Sequence, residues 1–209
     1  MNEPYEIDVH GWLSACKREG IGDGLNSVVL LPSPNFDERP AQDQAPSLIV
    51  IHNISLPPGV WGGTAIADFF LNRLDFDAHP FYAQIRGVRV SSHFLIRRDG
   101  AVQQFVGCNQ RAWHAGASTH AGRTRCNDFS IGIELEGSDD CAFEPPQYAQ
   151  LAVLVASLCR RYPVEAVAGH EDIAPGRKTD PGPYFDWQRV QRESGLTDRY
   201  FPYRHSDAT

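Results

Sequence analysis

The sequence lacks any long hydrophobic run. Its longest purely apolar stretch covers residues 151–156 (LAVLVA), whereas a membrane-spanning helix needs roughly 18 such residues. The N-terminal segment, MNEPYEIDVHGWLSACKREG, carries Glu3, Glu6 and Asp8 and has no apolar core of the kind found in a secretory signal. From these absences we expect a cytoplasmic protein that does not associate with a membrane.

Cysteines are few, and there is no surplus of basic residues. The five cysteines are an odd number, are widely scattered and form no C-x-x-C pair, so a disulfide framework is not expected. They are Cys16, Cys108, Cys126, Cys141 and Cys159. Lys and Arg total 19 and Asp and Glu total 26, which gives a net charge of −7. That balance argues against a general nucleic-acid binder, and no nucleic-acid partner is expected.

What is present is an ordinary globular composition. The chain has 209 residues, 42% hydrophobic and 22% charged, enough to bury one core without disulfides. Residues 1–46 contain many turn-forming prolines, and we interpret them as an N-terminal extension packed on the domain. Residues 47–193 form the predicted domain and residues 194–209 a C-terminal tail. A monomer is the default expectation.

Strand-like and helix-like patterns alternate along the chain. Short β-branched or alternating runs predict strands, and apolar residues at helical spacing predict helices. The expected strands are 47–53, 89–96, 101–106, 129–136 and 164–168, and the expected helices are 63–72, 145–162 and 184–193. Thr64 is the expected cap of the first helix. The mixture predicts an α/β domain with a mixed central sheet flanked by helices.

Two histidines and an aspartate stand at positions where α/β folds place functional groups. His52 and His170 each end a predicted strand, and Asp180 follows in a rigid loop rich in proline and glycine. Two imidazoles and one carboxylate are a ligand set typical of catalytic zinc, with one position left for water or substrate. The spacing alone is weak support, because the chain has eight histidines. The competing ligand candidates are His93, His114, Asp172 and Cys126.

Other polar residues leave two interpretations open. Glu134 and Glu136 share one face of a predicted strand, which either lines a polar cleft or is solvated. Lys178 lies two residues before Asp180, where it would either stabilise an oxyanion or remain an exposed loop lysine. Trp113 would form a wall for a sugar or peptide, or pack in the core. The same choice, between an acidic ligand and solvent, applies to Arg89, Arg97, Arg98, Arg111, Arg123 and Arg125.

Five ordered blocks carry a family resemblance. They are IVIHNISLPPG, AHPFYAQIRGVRVSSHFLIRRDG, RAWHAG, RCNDFSIGIELEG and GHEDIAPGRKTDPGPYFDW. Together they resemble the cytoplasmic 1,6-anhydro-N-acetylmuramyl-L-alanine amidases of bacterial cell-wall recycling. These belong to the superfamily that includes phage lysozyme-like amidases and peptidoglycan recognition proteins. The resemblance spans about residues 11–187, and the chain is longer than the usual family frame before residue 11, around 23–29 and after 189.

The resemblance implies a role for each matching position. The family's zinc ligands, which hold one Zn²⁺ per chain, match His52, His170 and Asp180. The catalytic glutamate matches Glu134, and the lysine that supports the tetrahedral intermediate matches Lys178. The arginines that hold acidic groups of the peptide match Arg89 and Arg125. Asn53 and Trp113 fall in blocks that contact the muramyl sugar or the peptide.

The reaction implied by the resemblance is hydrolysis of the amide that joins the lactyl group of 1,6-anhydro-N-acetylmuramic acid to L-Ala of the stem peptide. The expected partner is therefore a small anhydro-muropeptide substrate. Two other functions stay open at this point. One is a peptidoglycan-binding module without activity, and the other is a periplasmic or lytic enzyme that acts on the intact cell wall.

Overall fold

A six-stranded mixed sheet forms the centre of the protein. The computed structural model describes residues 4–14 and 28–203, so Cys16 and parts of the predicted extension and tail lie outside the described residues. The strands are β1 (Val28–Leu30), β2 (Phe36–Glu38), β3 (Leu48–Ile54), β4 (Phe94–Ile96), β5 (Val102–Gln104), β6 (Gln110–Ala112), β7 (Thr119–His120), β8 (Arg123–Thr124), β9 (Ser130–Glu136) and β10 (Ala166–Gly169). The helices are α1 (Ala65–Phe70), α2 (Pro80–Gln84), α3 (Pro145–Arg161), α4 (His170–Ile173) and α5 (Trp187–Ser194).

The strand order of the main sheet is β1-β5-β4-β9-β3-β10. All neighbouring pairs are parallel except β4 and β5, which form the antiparallel hairpin predicted around the Asp-Gly turn. Two further strand pairs, β2 with β6 and β7 with β8, lie outside this sheet. The prediction of an α/β domain with a mixed central sheet and flanking helices is confirmed.

The two faces of the central strands differ in polarity. Ile131, Ile133 and Leu135 of β9 belong to the apolar cluster that also contains Leu151 and Val155 of α3. Every residue of β9 is buried, so the alternation seen in its sequence separates an apolar face from a polar face that is also covered. Side chains alternate along a strand, and the polar face is therefore the one that points away from α3.

Helix α3 is the longest helix, and its ends agree with its sequence. It begins with two prolines at its first turn, where a missing backbone N–H costs nothing. Gln147 accepts a hydrogen bond from the backbone N–H of Glu144. The same side chain donates to the carbonyls of Ile96 and Glu136, which ties the helix to the sheet. No helix among the described residues is long and apolar enough to cross a membrane.

Several local predictions differ from the structure. The turn-rich region before residue 47 contributes two short strands, and β1 extends the main sheet by pairing with β5. The strand expected over 89–96 begins only at Phe94, and Arg89 and Val90 at its predicted start line a cavity instead. Thr64 does precede α1, but its side chain makes no capping hydrogen bond. Helix α2, which begins at a proline, was not predicted.

A buried guanidinium ties the middle of the chain together. Arg39 is 4% exposed, and it donates to the carbonyls of Cys108, Asn127, Asp128 and Ser130. Burial lowers the pKa of Arg39 to about 10. The four residues that supply these carbonyls are all buried, and an unsatisfied buried acceptor costs about 1–3 kcal/mol.

We expect Arg39→Ala to lower the free energy of unfolding by about 3 kcal/mol or more, because several buried carbonyls would lose their donor. Equilibrium unfolding in urea measures this change. The matched control is Arg86→Ala, whose ion pair with Asp77 is exposed and should be worth less than about 1 kcal/mol. Equal losses in the two variants would contradict the role given to Arg39.

Candidate active site

Three neighbouring parallel strands bring the candidate residues to one place. In the pairing of β3 with β9, His52 lies directly opposite Glu134. In the pairing of β10 with β3, Gly169 lies opposite Ile51, and His170 follows immediately as the first residue of α4. The carboxyl ends of parallel strands share one edge of a sheet, which is where α/β folds bind ligands.

His52, His170 and Asp180 form a compact group that could hold a metal ion. The Nδ1 atoms of the two rings are 2.9 Å apart, and each is 3.0 Å from Oδ2 of Asp180. The rings of His52 and His170 are 1% and 2% exposed. Three potential ligand atoms thus converge from two strand ends and one loop.

The protonation of this group suits metal binding. Burial lowers the pKa of His52 to about 4, so its ring is neutral near pH 7. Burial of Asp180 acts to raise its pKa, but hydrogen bonds from His170 and His52 outweigh that effect and hold the pKa well below its usual range. Neutral imidazoles and an ionised carboxylate are the forms that ligate metals. Two nitrogens and one oxygen fit the donor set of a catalytic zinc site with an open position.

The four competing ligand candidates lie outside this group. His93 accepts the backbone N–H of Gly132 through Nδ1, and its Nε2 is 3.0 Å from the carbonyl of Gln110. Asp172 accepts the backbone N–H of Gly169 at the start of α4. Cys126 is a buried thiol whose pKa burial raises. His114 contacts the far nitrogen of His52, opposite the side that faces Asp180.

The two glutamates of β9 have different environments. Glu136 accepts hydrogen bonds from the Arg97 side chain and from the backbone N–H groups of Arg98 and Gly62. Both oxygens of this carboxylate therefore accept hydrogen bonds, one of them from the loop before α1. Glu134, by contrast, has a buried Oε2 with no hydrogen-bond partner. The polar-cleft interpretation therefore fits Glu134, while Glu136 is a structural ion-pair partner.

The surroundings of Glu134 disfavour its charged form. Burial, together with the negative charge of Asp180, raises the pKa of Glu134 well above its ordinary value, and the charge of Lys178 opposes this shift. Glu134 lines a cavity of about 210 Å³. The predicted site residues that line the same cavity are His52, Asn53, Trp113, His170, Lys178 and Asp180. Lys178 and Asp180 thus both line this cavity, as expected for two residues separated by one position in an extended loop.

A second cavity of about 430 Å³ adjoins the first. The two cavities share Val90, Trp113, His114, His170 and Lys178. Of the two arginines expected to bind the peptide, Arg89 lines this second cavity. Arg125 lines neither cavity; its side chain is 70% exposed and pairs with Asp128.

The remaining central arginines are mostly structural. Each forms an ion pair, and the pairs are Arg97 with Glu136, Arg98 with Glu144, Arg111 with Asp37 and Asp128, and Arg123 with Asp43. Of these four, only Arg111 lines the second cavity. Arg89 and Arg111 thus line the second cavity together with Arg177 and Lys178, whereas Arg97, Arg98, Arg123 and Arg125 do not line it.

Two predicted substrate-contacting side chains are held by the protein itself. The amide of Asn53 donates to Asp139 and to the carbonyl of Pro181. The indole N–H of Trp113 donates to Asp37 at 2.7 Å, which turns the ring towards the cavities. Sequence reasoning missed Asp37, because an acidic residue in a turn-rich segment gives no signal of the indole it binds.

The contrast between Glu134 and Glu136 predicts opposite effects on stability. In the presence of a chelator, Glu134→Gln should raise the melting temperature near pH 8 by about 2–4 °C, since it removes a buried unpaired charge. The folded pKa of Glu134 is raised, so the parent protein loses stability as pH rises above about 4.5, and the gain should vanish below that pH. Differential scanning calorimetry across this range measures it. Glu136→Gln is the matched control and should be destabilising, and a gain in both variants would contradict the assignment.

Comparison with known proteins agrees with this geometry. A model of the N-acetylmuramoyl-L-alanine amidase family matches residues 42–183. The chain is 53% identical to the 1,6-anhydro-N-acetylmuramyl-L-alanine amidase AmpD of Salmonella typhimurium (strain SL1344), over 87% of this chain and 91% of the relative. The fold matches a crystal structure of AmpD with a TM-score of 0.81 and 49% identity, covering 90% of this chain and 98% of that one.

A more distant structure carries a ligand. It is the amidase AmiD from Escherichia coli in complex with the substrate anhydro-N-acetylmuramic acid-L-Ala-D-gamma-Glu-L-Lys. It is 30% identical with a TM-score of 0.51, covering 90% of this chain and 65% of that chain. Because the family model covers the whole of the sheet edge that carries the candidate residues, and close relatives match over most of both chains, this protein belongs to the N-acetylmuramoyl-L-alanine amidase family.

Proposed function

We propose that this protein hydrolyses the amide between the lactyl group of 1,6-anhydro-N-acetylmuramic acid and L-Ala of the stem peptide, with zinc as its cofactor. The reaction would serve peptidoglycan recycling in the cytoplasm. The observation that carries the proposal is the convergence of His52, His170 and Asp180 beside a buried carboxylate oxygen of Glu134 that has no partner. The names of the AmpD relatives support the substrate.

The metal group and Glu134 divide the chemistry between them. His52, His170 and Asp180 would hold a zinc ion, which would act as a Lewis acid towards the amide carbonyl and would lower the pKa of water to about 7. Glu134 takes a proton from the attacking water at its unpartnered oxygen and later delivers it to the nitrogen of the leaving amine. A raised pKa suits this exchange, because an ordinary carboxylate is too weak a base near neutral pH.

Lys178 and the two cavities account for the remaining steps. Lys178 lines both cavities, so its ammonium group can approach the carbonyl oxygen as negative charge develops there. Asn53 and Trp113 would contact the muramyl sugar or the peptide from the smaller cavity. Arg89, in the larger cavity, would pair with a carboxylate of the peptide. Arg125 keeps the same proposed role from the surface outside both cavities.

The substrate and the metal are tested together by mass spectrometry. We expect the purified protein to release free tripeptide from anhydro-muramyl tripeptide, and chelation to abolish that release. Muropeptides with ordinary reducing muramic acid are the matched control substrate and should be cleaved much more slowly. Equal cleavage of the two substrates would indicate a broader wall amidase, and zinc binding without any cleavage would indicate a binding module.

The roles of Glu134 and Lys178 predict separate kinetic losses. Glu134→Gln should lower kcat by about 10²–10⁴-fold while zinc content stays at one ion per chain, because the base is lost and the ligands remain. Lys178→Met should lower kcat by about 10²–10³-fold with little change in KM, because the interaction forms only in the transition state. Steady-state kinetics with metal analysis measure both. Glu193→Gln, an exposed change on α5, should leave kcat unaltered, and near-normal turnover in either site variant would refute its role.

A further inference from the structure

The Nε2 atoms of His52 and His170 both contact one two-residue segment, His114 and Ala115. Nε2 of His52 is 2.9 Å from Nδ1 of His114, and Nε2 of His170 is 3.0 Å from the carbonyl oxygen of Ala115. These contacts lie on the side of each ring opposite the Nδ1 atoms that face Asp180. Two adjacent residues thus contact both rings on the side away from Asp180.

The outer contact of His170 with a carbonyl requires a proton on its Nε2, and the same arrangement is open to His52. A carbonyl oxygen can only accept, so the Ala115 contact requires a proton on Nε2 of His170. Nδ1 of the same ring faces the Asp180 carboxylate and would exchange its proton for a metal ion on binding. For His52 the same arrangement requires His114 to accept through Nδ1. His114 then carries its own proton on Nε2, where Oγ of Ser130, 3.1 Å away and fully buried, can accept it.

The segment is itself firmly held. Oδ1 of Asn127 accepts the backbone N–H groups of both His114 and Ala115, at 3.1 and 2.7 Å. The guanidinium of Arg177 donates to the same Ala115 carbonyl that receives His170. The ring of His114 lies so close to β9 that a Cβ at Gly132 would be 2.5 Å from its Cγ. Glycine in this otherwise side-chain-bearing strand therefore makes room for the ring.

We propose that His114 is a positioning residue for the metal centre: it accepts the Nε2 proton of His52 and thereby fixes the orientation and tautomer of that ring. The inference rests on the proposed metal site. Partners of this kind orient ligating imidazoles and raise their basicity, and their loss weakens metal affinity by about 10–100-fold. In this role His114 acts through His52.

Two substitutions of nearly equal size separate this role from simple packing. In asparagine, Oδ1 is bonded to Cγ just as Nδ1 is in histidine, so His114→Asn keeps an acceptor at that position. Leucine has a methyl group there and cannot accept. We expect His114→Leu to raise the zinc dissociation constant by about 10–100-fold, and His114→Asn to keep it within a few-fold of the parent. Competition with a chromophoric chelator at fixed pH measures both constants, and thermal unfolding of the metal-free forms checks that each variant folds.

Ser130→Ala tests the outer link. In the parent it should weaken zinc binding several-fold, because the Nε2 proton of His114 loses its acceptor. In the His114→Asn background the zinc dissociation constant should not change, because the shorter asparagine side chain does not reach Ser130. A purely structural serine would have the same effect in both backgrounds. The cycle also decides the matter if His114→Leu fails to fold.

Three results would overturn the inference. One is a zinc dissociation constant in His114→Leu within twofold of the parent. Another is an equal loss of zinc affinity in the leucine and asparagine variants, which would indicate packing alone. The third is an unchanged constant in Ser130→Ala. A parent protein that binds no zinc would instead refute the metal centre of the proposed function, so the two failures are distinguishable.

Discussion

The parallel pairing of β3 with β9 on one side and β10 on the other is the constraint from which the site follows. These three strands place His52, Glu134 and His170 at one edge, although they are far apart in the chain. The apolar faces of β3 and β9 pack with α3 in a continuous core. Since side chains alternate along a strand, the residues between those that pack on α3 point to the opposite face, where the site lies.

The polar face of β9 shows how two like residues acquire different functions. Glu136 is surrounded by donors and behaves as a buried structural carboxylate. Glu134, two residues earlier, has no donor for its buried oxygen and lies near the negative charge of Asp180. A buried group without a partner reduces stability, and such a cost is common where a protein keeps a group available for chemistry. Ser130 and Gly132 complete this face by receiving the ring of His114.

Strand and helix predictions succeeded where one short-range pattern dominated. The β-branched run before His52, the alternation from Ser130 to Glu136 and the helical spacing of α3 all appear at the expected places. The short strands β1, β2, β6, β7 and β8 were missed, because two or three residues outside a longer alternating run carry too little pattern and depend on their pairing partners. The arginines show the same limit: six looked alike in sequence, and four form ion pairs that only the fold brings together.

The sequence by itself determined the α/β class, the ends of the longest elements and, through five ordered blocks, the family. It did so because hydrophobic periodicity and motif order are properties of neighbouring residues. Only the tertiary structure decided which acidic groups are paired and which are not, and that His114 stands behind His52 rather than among the candidate ligands. Those facts depend on hydrogen bonds between residues distant in the chain, 62 positions for His52 with His114 and 39 for Arg97 with Glu136. Such contacts leave no periodic trace in the chain.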